Sequence, residues 1–462
     1  MIAAMMAESA HAAAGHGVDG AQLGLLWIVP FAGILLSIAL LPLLAPKFWH
    51  HHFGKTSIFW ALAFLLPFGA LFGWANAGEA ALTTLLHEYV PFIVLLYALF
   101  VVSGGIFVSG TLVGRPGVNA GLLAFGTLAA SALGTTGAAM LLIRPLIRAN
   151  ETRKHKVHIF VFFIFLVANV GGSLTPLGDP PLYLGFLKGV DFFWTFEHMM
   201  APMLLASGVI LAVFFLIETI QFRRETADFQ KRESGDALKI EGAHNILFLV
   251  AIIMTVLLSN RFSPPGGMDV AGVHVAYAEM VRVGALFLIA FFSLRTTKER
   301  VRVENAFTWA PIQEVAILFL GIFVTIVPAL AILRAGESGA LSDAIALVTN
   351  PDGTANNAMY FWMTGILSSF LDNAPTYLVF FNMAGGDPQM LMNDGAMTLL
   401  AISAGAVFMG ANTYIGNAPN FMVKSICEER GVSMPSFFGY MVWSVLILIP
   451  TFALVTYVFF LP

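Results

Sequence analysis

Long apolar stretches separated by short polar segments dominate the chain. A helix needs about 20 apolar residues to cross the hydrocarbon core of a bilayer. The predicted spans are 22–45, 57–76, 89–112, 198–219, 246–260, 277–294, 308–333 and 435–461. Strands of a barrel would instead alternate apolar and polar residues over about 10 positions. The pattern therefore predicts an all-α polytopic membrane protein.

Two further apolar regions, 117–187 and 357–426, are repeatedly interrupted by Gly, Pro, Asn and Asp. Each region is predicted to contain a re-entrant hairpin followed by a broken transmembrane helix. The hairpins are placed at 117–143 and 357–383, and the broken helices at 157–187 and 395–426. Non-helical backbone is tolerated at membrane depth where it lines a cavity, so these interruptions mark a candidate transport site.

A charged segment divides the chain nearly in half and is predicted to be a cytoplasmic linker. The resulting organisation is an external tail at 1–21, a first repeat at 22–220, the linker at 221–245 and a second repeat at 246–462. His11 and His16 in the tail are interpreted as part of a polar extension, although metal binding is the alternative. The two repeats are expected to have opposite topology.

Orientation follows from the loops that carry Lys and Arg, which lie in the cytoplasm. The basic loops are predicted at 47–55, 144–156, 221–239 and 295–302, and the acidic outer loops at 77–88, 334–352 and 387–394. This path places both termini outside, in a bacterial inner membrane. It also requires one hairpin to open to each face.

Composition supports the membrane class and excludes several functions. Hydrophobic residues make up 58% and charged residues 11% of the 462 residues, whereas soluble domains carry about 25% charged residues. The net charge is −4, and the sequence has no basic patch with interleaved aromatic residues. Nucleic acid is therefore not expected as a partner. The single Cys427 excludes an intramolecular disulfide. No phosphate-binding loop signature is present in the sequence. We therefore expect neither a cofactor nor enzyme activity, and we expect transport to be driven by an ion gradient.

An internal repeat links the two interrupted regions. The segment 131–137 (SALGTTG) matches 369–375 (SFLDNAP), and 172–181 (GSLTPLGDPP) matches 410–419 (GANTYIGNAP). One offset of 238 residues relates both pairs without a gap, as the separation of Asp179 and Asn417 illustrates. Such broken helices at matching positions of two halves indicate a site near the middle of the membrane.

The polar residues of these segments are the candidate ligands of an ion or a substrate. Freed carbonyls and side-chain oxygens suit Na⁺, while half-helix N-termini suit an anion. The candidates are Ser131, Thr135, Thr136, Ser173, Thr175, Gly178, Asp179, Ser369, Asp372, Asn373, Thr376, Asn412, Thr413, Gly416 and Asn417. The alternative is that any one of them only satisfies backbone groups at a break.

Three acids are candidate proton sites, because carboxylates inside a membrane are costly and usually functional. Asp372 is interpreted as an ion site, whereas Asp179 is either an ion site or a cap of its half-helix. Glu314 is either a proton site or an interfacial cap. Arg144 is interpreted as a cytoplasmic anchor and the triplet 50–52 (HHH) as part of an interfacial loop.

The motifs resemble those of the ion transporter superfamily, which includes arsenite permeases, sodium/proton antiporters of the NhaD type, and citrate and dicarboxylate carriers. The similar segments are 369–376 (SFLDNAPT), 171–181 (GGSLTPLGDPP), 410–417 (GANTYIGN) and 314–324 (EVAILFLGIFV). The resemblance implies two hairpins, two broken helices, a homodimer and an elevator-like movement. The first hairpin departs from it, because Gly134 and Thr135 stand where symmetry suggests an Asp-Asn pair.

The preferred hypothesis is a Na⁺/H⁺ antiporter, in which Na⁺ binds Asp372, Asn373 and oxygens at the breaks while protons compete for Asp372 and Asp179. The alternative is a Na⁺- or H⁺-coupled carrier of citrate or another carboxylate. The scarcity of intramembrane Lys and Arg favours the cation, because a polyanion at depth benefits from a counter-charge. A passive channel is disfavoured by the two opposed gates.

Overall fold

The chain folds almost entirely into helices in a computed structural model, which describes residues 19–110, 112–226, 229 and 239–461. The predicted tail at 1–21 therefore lies almost wholly outside the described residues. The helices of the first half are α1 (Val29–Leu44), α2 (Pro46–Phe72), α3 (Trp74–Thr84), α4 (Val90–Ser103), α5 (Pro116–Leu133), α6 (Thr135–Ala149), α7 (Val157–Leu166), α8 (Pro180–Leu187) and α9 (Trp194–Phe222).

The second half is also mainly helical in its described residues. Its helices are α10 (Asn245–Phe262), α11 (Tyr277–Thr296), α12 (Glu299–Glu304), α13 (Ala310–Arg334), α14 (Ser342–Ala346), α15 (Asn357–Phe370), α16 (Asn373–Met383), α17 (Pro388–Met392), α18 (Ala396–Met409), α19 (Ala418–Glu429) and α20 (Phe437–Phe459). Short 3-10 turns precede α1, follow α13 and lie inside the two breaks.

Nine helical segments of the described chain are long and apolar enough to cross a membrane. They are Leu25–Leu44, Pro46–Phe72, Trp74–Ser103, Pro116–Leu133, Val157–Leu174, Trp194–Phe222, Tyr277–Thr296, Ala310–Arg334 and Phe437–Phe459. The predicted span 246–260 lies in α10, whose apolar part, Asn245–Ser259, is shorter. The class of polytopic α-helical membrane protein is confirmed.

Two predicted loops are wrong, because both were inferred from charge and both are helical. The segment 47–55 belongs to α2, which starts with Pro46 at its first position, where a proline fits without loss of a hydrogen bond. The triplet 50–52 is therefore helical, and the Nδ1 atoms of His51 and His52 lie 2.8 and 3.1 Å from carbonyls four residues back.

The second wrong loop, 77–88, is rich in the helix-forming residues Ala, Leu and Glu. It forms α3, which runs through a π-helical turn (Leu85–Tyr89) into α4. Trp74–Ser103 is consequently one continuous helical segment. Acidic side chains alone were not a signal for a loop.

Each predicted hairpin corresponds to a pair of helices, and the two helices of each pair pack against one another. Pro116 begins α5, and Gly134, with a φ of 76°, separates α5 from α6. A positive φ of this kind favours glycine because a Cβ would clash with the backbone. Leu371 and Asp372 separate α15 from α16 in the second pair. The length of α5 would also permit a crossing, so re-entry stays a prediction.

The two predicted broken helices are interrupted as expected. In the first, α7 ends at Leu166 and α8 begins at Pro180. In the second, α18 ends at Met409 and α19 begins at Ala418, followed by Pro419. The first broken helix is deeply buried, since Val157–Leu174 is almost completely buried while Pro46–Phe72 is largely exposed. The core therefore lies around the broken helices.

The described part of the predicted linker is attached to the fold. Strand β2 (Lys239–Glu241) pairs antiparallel with β1 (Phe107–Ser109), and a separate hairpin is formed by β3 (Gly267–Val270) and β4 (Val273–Ala276). Residues 227, 228 and 230–238 of the linker lie outside the described residues. Lys239 and Ile240 are exposed in β2 while Glu225 is buried, and the cytoplasmic linker stays a prediction.

A buried network of charged and polar side chains connects α9 to the start of α5 and to the loop that follows α6. Glu218 near the end of α9 accepts hydrogen bonds from Asn119 (2.7 Å), Arg153 and His158, whose Nε2 lies 2.6 Å away. These partners come from the start of α5, the loop after α6 and the start of α7. A buried charge needs such partners, so the network fixes where the first pair sits on α9.

Candidate functional site

Asp179 lies at the centre of the two breaks and is fully enclosed by hydrogen-bond donors. The hydroxyl of Thr135 donates to Oδ1 at 3.0 Å, and the amide of Asn417 donates to the same atom at 3.2 Å. The amide of Asn373 donates to Oδ2 at 2.5 Å. Four predicted site residues, one from each interrupted element, therefore meet at a single carboxylate.

The same four residues mark the N-terminal ends of four helices. Thr135 and Asn373 are the first residues of α6 and α16, while Asp179 and Asn417 immediately precede α8 and α19. A helix N-terminus carries a partial positive charge of roughly half an elementary charge. The site thus combines a negative carboxylate with four converging positive helix ends.

Asp179 does not cap its own half-helix, which contradicts the alternative interpretation of this residue. A capping side chain accepts the N–H of the second or third helical residue, but the second residue, Pro181, has no N–H, and the N–H of the third, Leu182, donates to the backbone carbonyl of Asp179 at 3.1 Å. No side-chain capping bond is made at this position. The carboxylate of Asp179 is instead directed at Thr135, Asn373 and Asn417.

Asp372, in contrast, is a helix cap. Its carboxylate accepts the N–H of Ala374 at 3.1 Å, and its carbonyl accepts the hydroxyl of Thr376 at 3.0 Å. The side chain is half-buried and close enough to Asp179 for the two charges to interact. Asp372 therefore adds a second acid beside the buried one.

Equivalent hydrogen bonds shape both breaks. The hydroxyl of Ser131 donates to the carbonyl of Gly171 at 2.6 Å, and that of Ser369 donates to Met409 at 3.1 Å. The hydroxyl of Thr175 donates to the carbonyl of Ser131 at 2.5 Å, as Thr413 donates to Ser369. Every one of these pairs is related by the offset of 238 residues.

Two glycines in each break allow the backbone to fold tightly onto itself. A Cβ at Gly178 would lie 2.1 Å from the carbonyl oxygen of Gly172, and one at Gly416 would lie 2.6 Å from that of Gly410. The carbonyl of Gly178 accepts the N–H of Thr135 at 2.8 Å. Glycine is required here for close backbone approach.

Several carbonyls that were expected to bind a cation are already used within the protein. Those of Ser131 and Ser369 accept Thr hydroxyls, and those of Gly410 and Thr413 accept an Asn amide. Within the described part of the chain, the buried Oδ1 atoms of Asn373 and Asn412 have no hydrogen-bond partner. These two side-chain amide oxygens are therefore free acceptors beside the breaks.

The remaining predicted residues lie around this centre. Asn412 donates to the hydroxyl of Ser369 at 2.9 Å, and Ser173 donates to the carbonyl of Val170 at 2.8 Å. Thr136 is half-buried in the first turn of α6. Glu314 is half-buried in α13, and no hydrogen bond among the described residues joins it to the site.

Two site residues were missed, namely Asn169 and Asn420. Both are fully buried, and the amide of Asn169 donates to Oδ1 of Asn420 at 2.7 Å across the two breaks. A signal existed for each one: Asn169 interrupts an apolar run, and Asn420 follows Asn417 by three residues on the same helix face. Their pairing joins residues 251 positions apart.

A polar site held on broken helices inside a bundle of apolar helices is the architecture of a membrane transporter. Comparison with known proteins agrees with this class. A family model described as putative citrate transport matches residues 20–460, and the chain belongs to that family. The resemblance to citrate-permease-like carriers is thereby confirmed.

Two curated relatives carry the same general description. An uncharacterised transporter of Mycobacterium bovis and one of Mycobacterium tuberculosis are each 24% identical to the chain over 323 residues. The match covers 67% of this chain and 69% of each relative. Family and relatives are thus transporters.

Proposed function

We propose that the protein is a secondary active carrier of citrate or a similar small carboxylate, coupled to Na⁺ or H⁺. The observation that carries this proposal is the meeting of four helix N-termini at Asp179. Helix N-termini attract anions through the positive end of the helix dipole. The side-chain donors Thr135, Asn373 and Asn417 are already directed at a carboxylate, and a substrate carboxylate has the same chemistry.

Coupling follows from the charges at this point. Four helix ends together contribute about two positive charges, and Asp179 and Asp372 offset them when both are ionised. An incoming polyanion is then attracted only after a proton or Na⁺ has neutralised a carboxylate. The free Oδ1 atoms of Asn373 and Asn412 supply neutral ligands of the kind that a hard cation prefers. Anion and cation therefore bind together.

A Na⁺/H⁺ antiporter is the second candidate, and a specific observation favours it. Among the described residues, no Lys or Arg hydrogen-bonds to Asp179 or Asp372, so a bound polyanion would lack a side-chain counter-charge. In this case Na⁺ and H⁺ compete for the two acids, and no organic substrate is needed. The family description favours the carboxylate carrier, which is why we place that function first.

Alternating access through two inverted halves is the mechanism that we propose for either function. The hydrogen bonds that recur at the offset of 238 residues support two equivalent halves. Opposite orientation of the halves, re-entry of both helix pairs, external termini in a bacterial inner membrane and a homodimer are parts of the same proposal. Labelling of single-cysteine variants at the outer loops with a membrane-impermeant thiol reagent in intact cells measures the orientation directly.

Reconstitution of the full chain into proteoliposomes separates the two functions. We expect uptake of labelled citrate when an inward Na⁺ or H⁺ gradient is imposed, and little uptake without a gradient. Empty liposomes are the control. Na⁺-driven proton movement in the absence of citrate, without citrate uptake, would instead establish the antiporter.

A further inference from the structure

Asn169 and Asn420 form a contact between the halves that has no counterpart by symmetry. Asn169 lies in the first break, and Asn420 lies in the first turn of α19. The offset of 238 residues pairs them with Val407 and Leu182, which cannot form such a bond. Their hydrogen bond of 2.7 Å is therefore not one of the bonds that recur in both breaks.

The orientation of the Asn420 amide is determined by the backbone. Its Nδ2 lies 2.8 Å from the carbonyl oxygen of Gly410 and 2.9 Å from that of Thr413. Carbonyl oxygens only accept hydrogen bonds, so this atom must be the nitrogen. The Oδ1 of Asn420 consequently faces Asn169 and requires a donor there.

The orientation of the Asn420 amide determines the orientations of the Asn169 and Asn417 amides in turn. Asn169 turns its Nδ2 towards Oδ1 of Asn420 and the carbonyl of Ile164, which is 2.8 Å away. Its Oδ1 therefore faces the Nδ2 of Asn417 at 3.3 Å. The nitrogen of Asn417 also lies near the carbonyl of Ala168 and near Asp179, at 3.2 Å from each.

We infer that Asn420 and Asn169 are positioning residues that hold the amide of Asn417 as a hydrogen-bond donor to Asp179. With the chain of amides broken, the Nδ2 of Asn417 keeps the carbonyl of Ala168 but loses Oδ1 of Asn169. The amide then turns its oxygen towards the carboxylate more easily, where two acceptors repel each other. The consequence for transport rests on the proposed function. The donor of Asn417 is then no longer directed at the place where a substrate carboxylate binds, so substrate affinity falls more than the rate of turnover.

Melting temperatures of the purified full chain, without substrate, test the hydrogen-bond chain itself. The variants are Asn169→Val and Asn420→Leu, which introduce the residues of the equivalent positions, each combined with Asn417→Ala. Because linked residues share their hydrogen bonds, we expect the losses in melting temperature to be less than additive. Additive losses in both pairs would overturn the inference.

Asn382 provides a matched control. It is a buried asparagine on α16 whose amide donates to the carbonyl of Leu378 at 2.8 Å and whose oxygen accepts from Arg334 at 2.7 Å. We expect the losses from Asn382→Leu and Asn417→Ala to add. If Asn169→Val does not fold, Asn169→Thr replaces it in the cycle with Asn417→Ala, because threonine has nearly the shape of valine and offers a hydroxyl in place of the amide.

Citrate uptake by proteoliposomes tests the consequence for the site. We expect KM for citrate to rise about tenfold in Asn169→Val and Asn420→Leu, as is common when residues behind a ligand are removed, with kcat changed less. Asn169→Thr should recover part of the KM, and Asn382→Leu should leave it unchanged. An unchanged KM in both variants would overturn the positioning role. Absence of uptake by the unmodified chain would overturn the proposed function alone, because the melting-temperature cycle needs no substrate.

Discussion

The first and second breaks share one framework but differ in the groups placed on it. Both have a Ser and a Thr that tie the break to the preceding helix pair, and both have two closely packed glycines. On this framework the first break carries Asp179, where the second carries Asn417. The first pair carries Gly134 and Thr135, where the second carries Asp372 and Asn373.

This comparison separates residues that shape the site from residues that define its chemistry. Equivalent residues fold the backbone in the same way in both halves. The residues that differ place one acid in a break and the other at the tip of the opposite helix pair. Each half therefore supplies one carboxylate, and donors from both halves converge on Asp179.

The largest expected effect comes from Asp179→Asn, which makes the first break resemble the second. An amide at this position presents an N–H to three donors and removes the negative charge. We expect citrate uptake by proteoliposomes to fall about 100-fold, in line with the loss of a directly binding group. Asp352→Asn, on an exposed turn, is the control. Uptake by Asp179→Asn near the rate of the unmodified chain would contradict a central role for this carboxylate.

Gly178→Ala and Gly416→Ala test whether both breaks need the same tight backbone. Each added Cβ would lie far inside van der Waals distance of a carbonyl oxygen, so the break must open. We expect each variant to lose about 2 kcal/mol of stability, measured by thermal unfolding in detergent. Gly208→Ala on α9 has no atom within 4 Å of the new Cβ and should not be destabilised. A stable Gly416→Ala would mean that only the first break is constrained.

Asp372→Asn and Asp372→Ala separate the two roles of the second acid. Asparagine still caps α16 and removes the charge, whereas alanine removes both and costs about 1 kcal/mol as a lost cap. If the charge serves coupling, both variants should raise the Na⁺ or H⁺ concentration for half-maximal uptake about tenfold. If the half-maximal Na⁺ or H⁺ concentration changes only in the alanine variant, Asp372 serves as a helix cap and not in coupling.

The smallest effects are expected from Thr175→Val and Thr413→Val. Each removes a hydroxyl that donates to a serine carbonyl and accepts a backbone N–H at 3.2 Å. We expect a loss of about 1 kcal/mol in each case. The two losses should be similar, with the larger one for Thr413, whose hydroxyl also accepts the N–H of Gly416 at 3.2 Å. Melting temperatures of the two variants measured side by side check this. A large difference between them would show that the breaks are not energetically equivalent.

Much of the fold was readable from the sequence, and the physical reasons are specific. Pro180 and Pro419 lie in the first turn of the helices that follow the two breaks, and Gly134 separates α5 from α6, so the breaks and the hairpin tip were predictable. Segments 47–55 and 77–88 were misplaced because charge indicates contact with water but not the absence of a helix. A solvated helix end carries charge equally well.

The two acids differ in a way that was not predicted from the sequence, because Asp372 caps α16 whereas Asp179 accepts three side-chain hydrogen bonds. The sequence Asp-Pro-Pro already implied that Asp179 has few N–H groups to cap, whereas Asp372 precedes Asn373 and Ala374, which have them. The pairing of Asn169 with Asn420 could not be inferred, because it depends on how two distant breaks approach each other. One sequence contains no signal for a contact across 251 positions.

The convergence of donors on Asp179 has a consequence for biosynthesis. Thr135 precedes Asp179 along the chain, but Asn373 and Asn417 are translated long after it. While the ribosome is still producing the second half, the newly inserted first half holds an aspartate that has one of its three final donors. This half should therefore stay loosely assembled at the translocon until the last third of the polypeptide arrives.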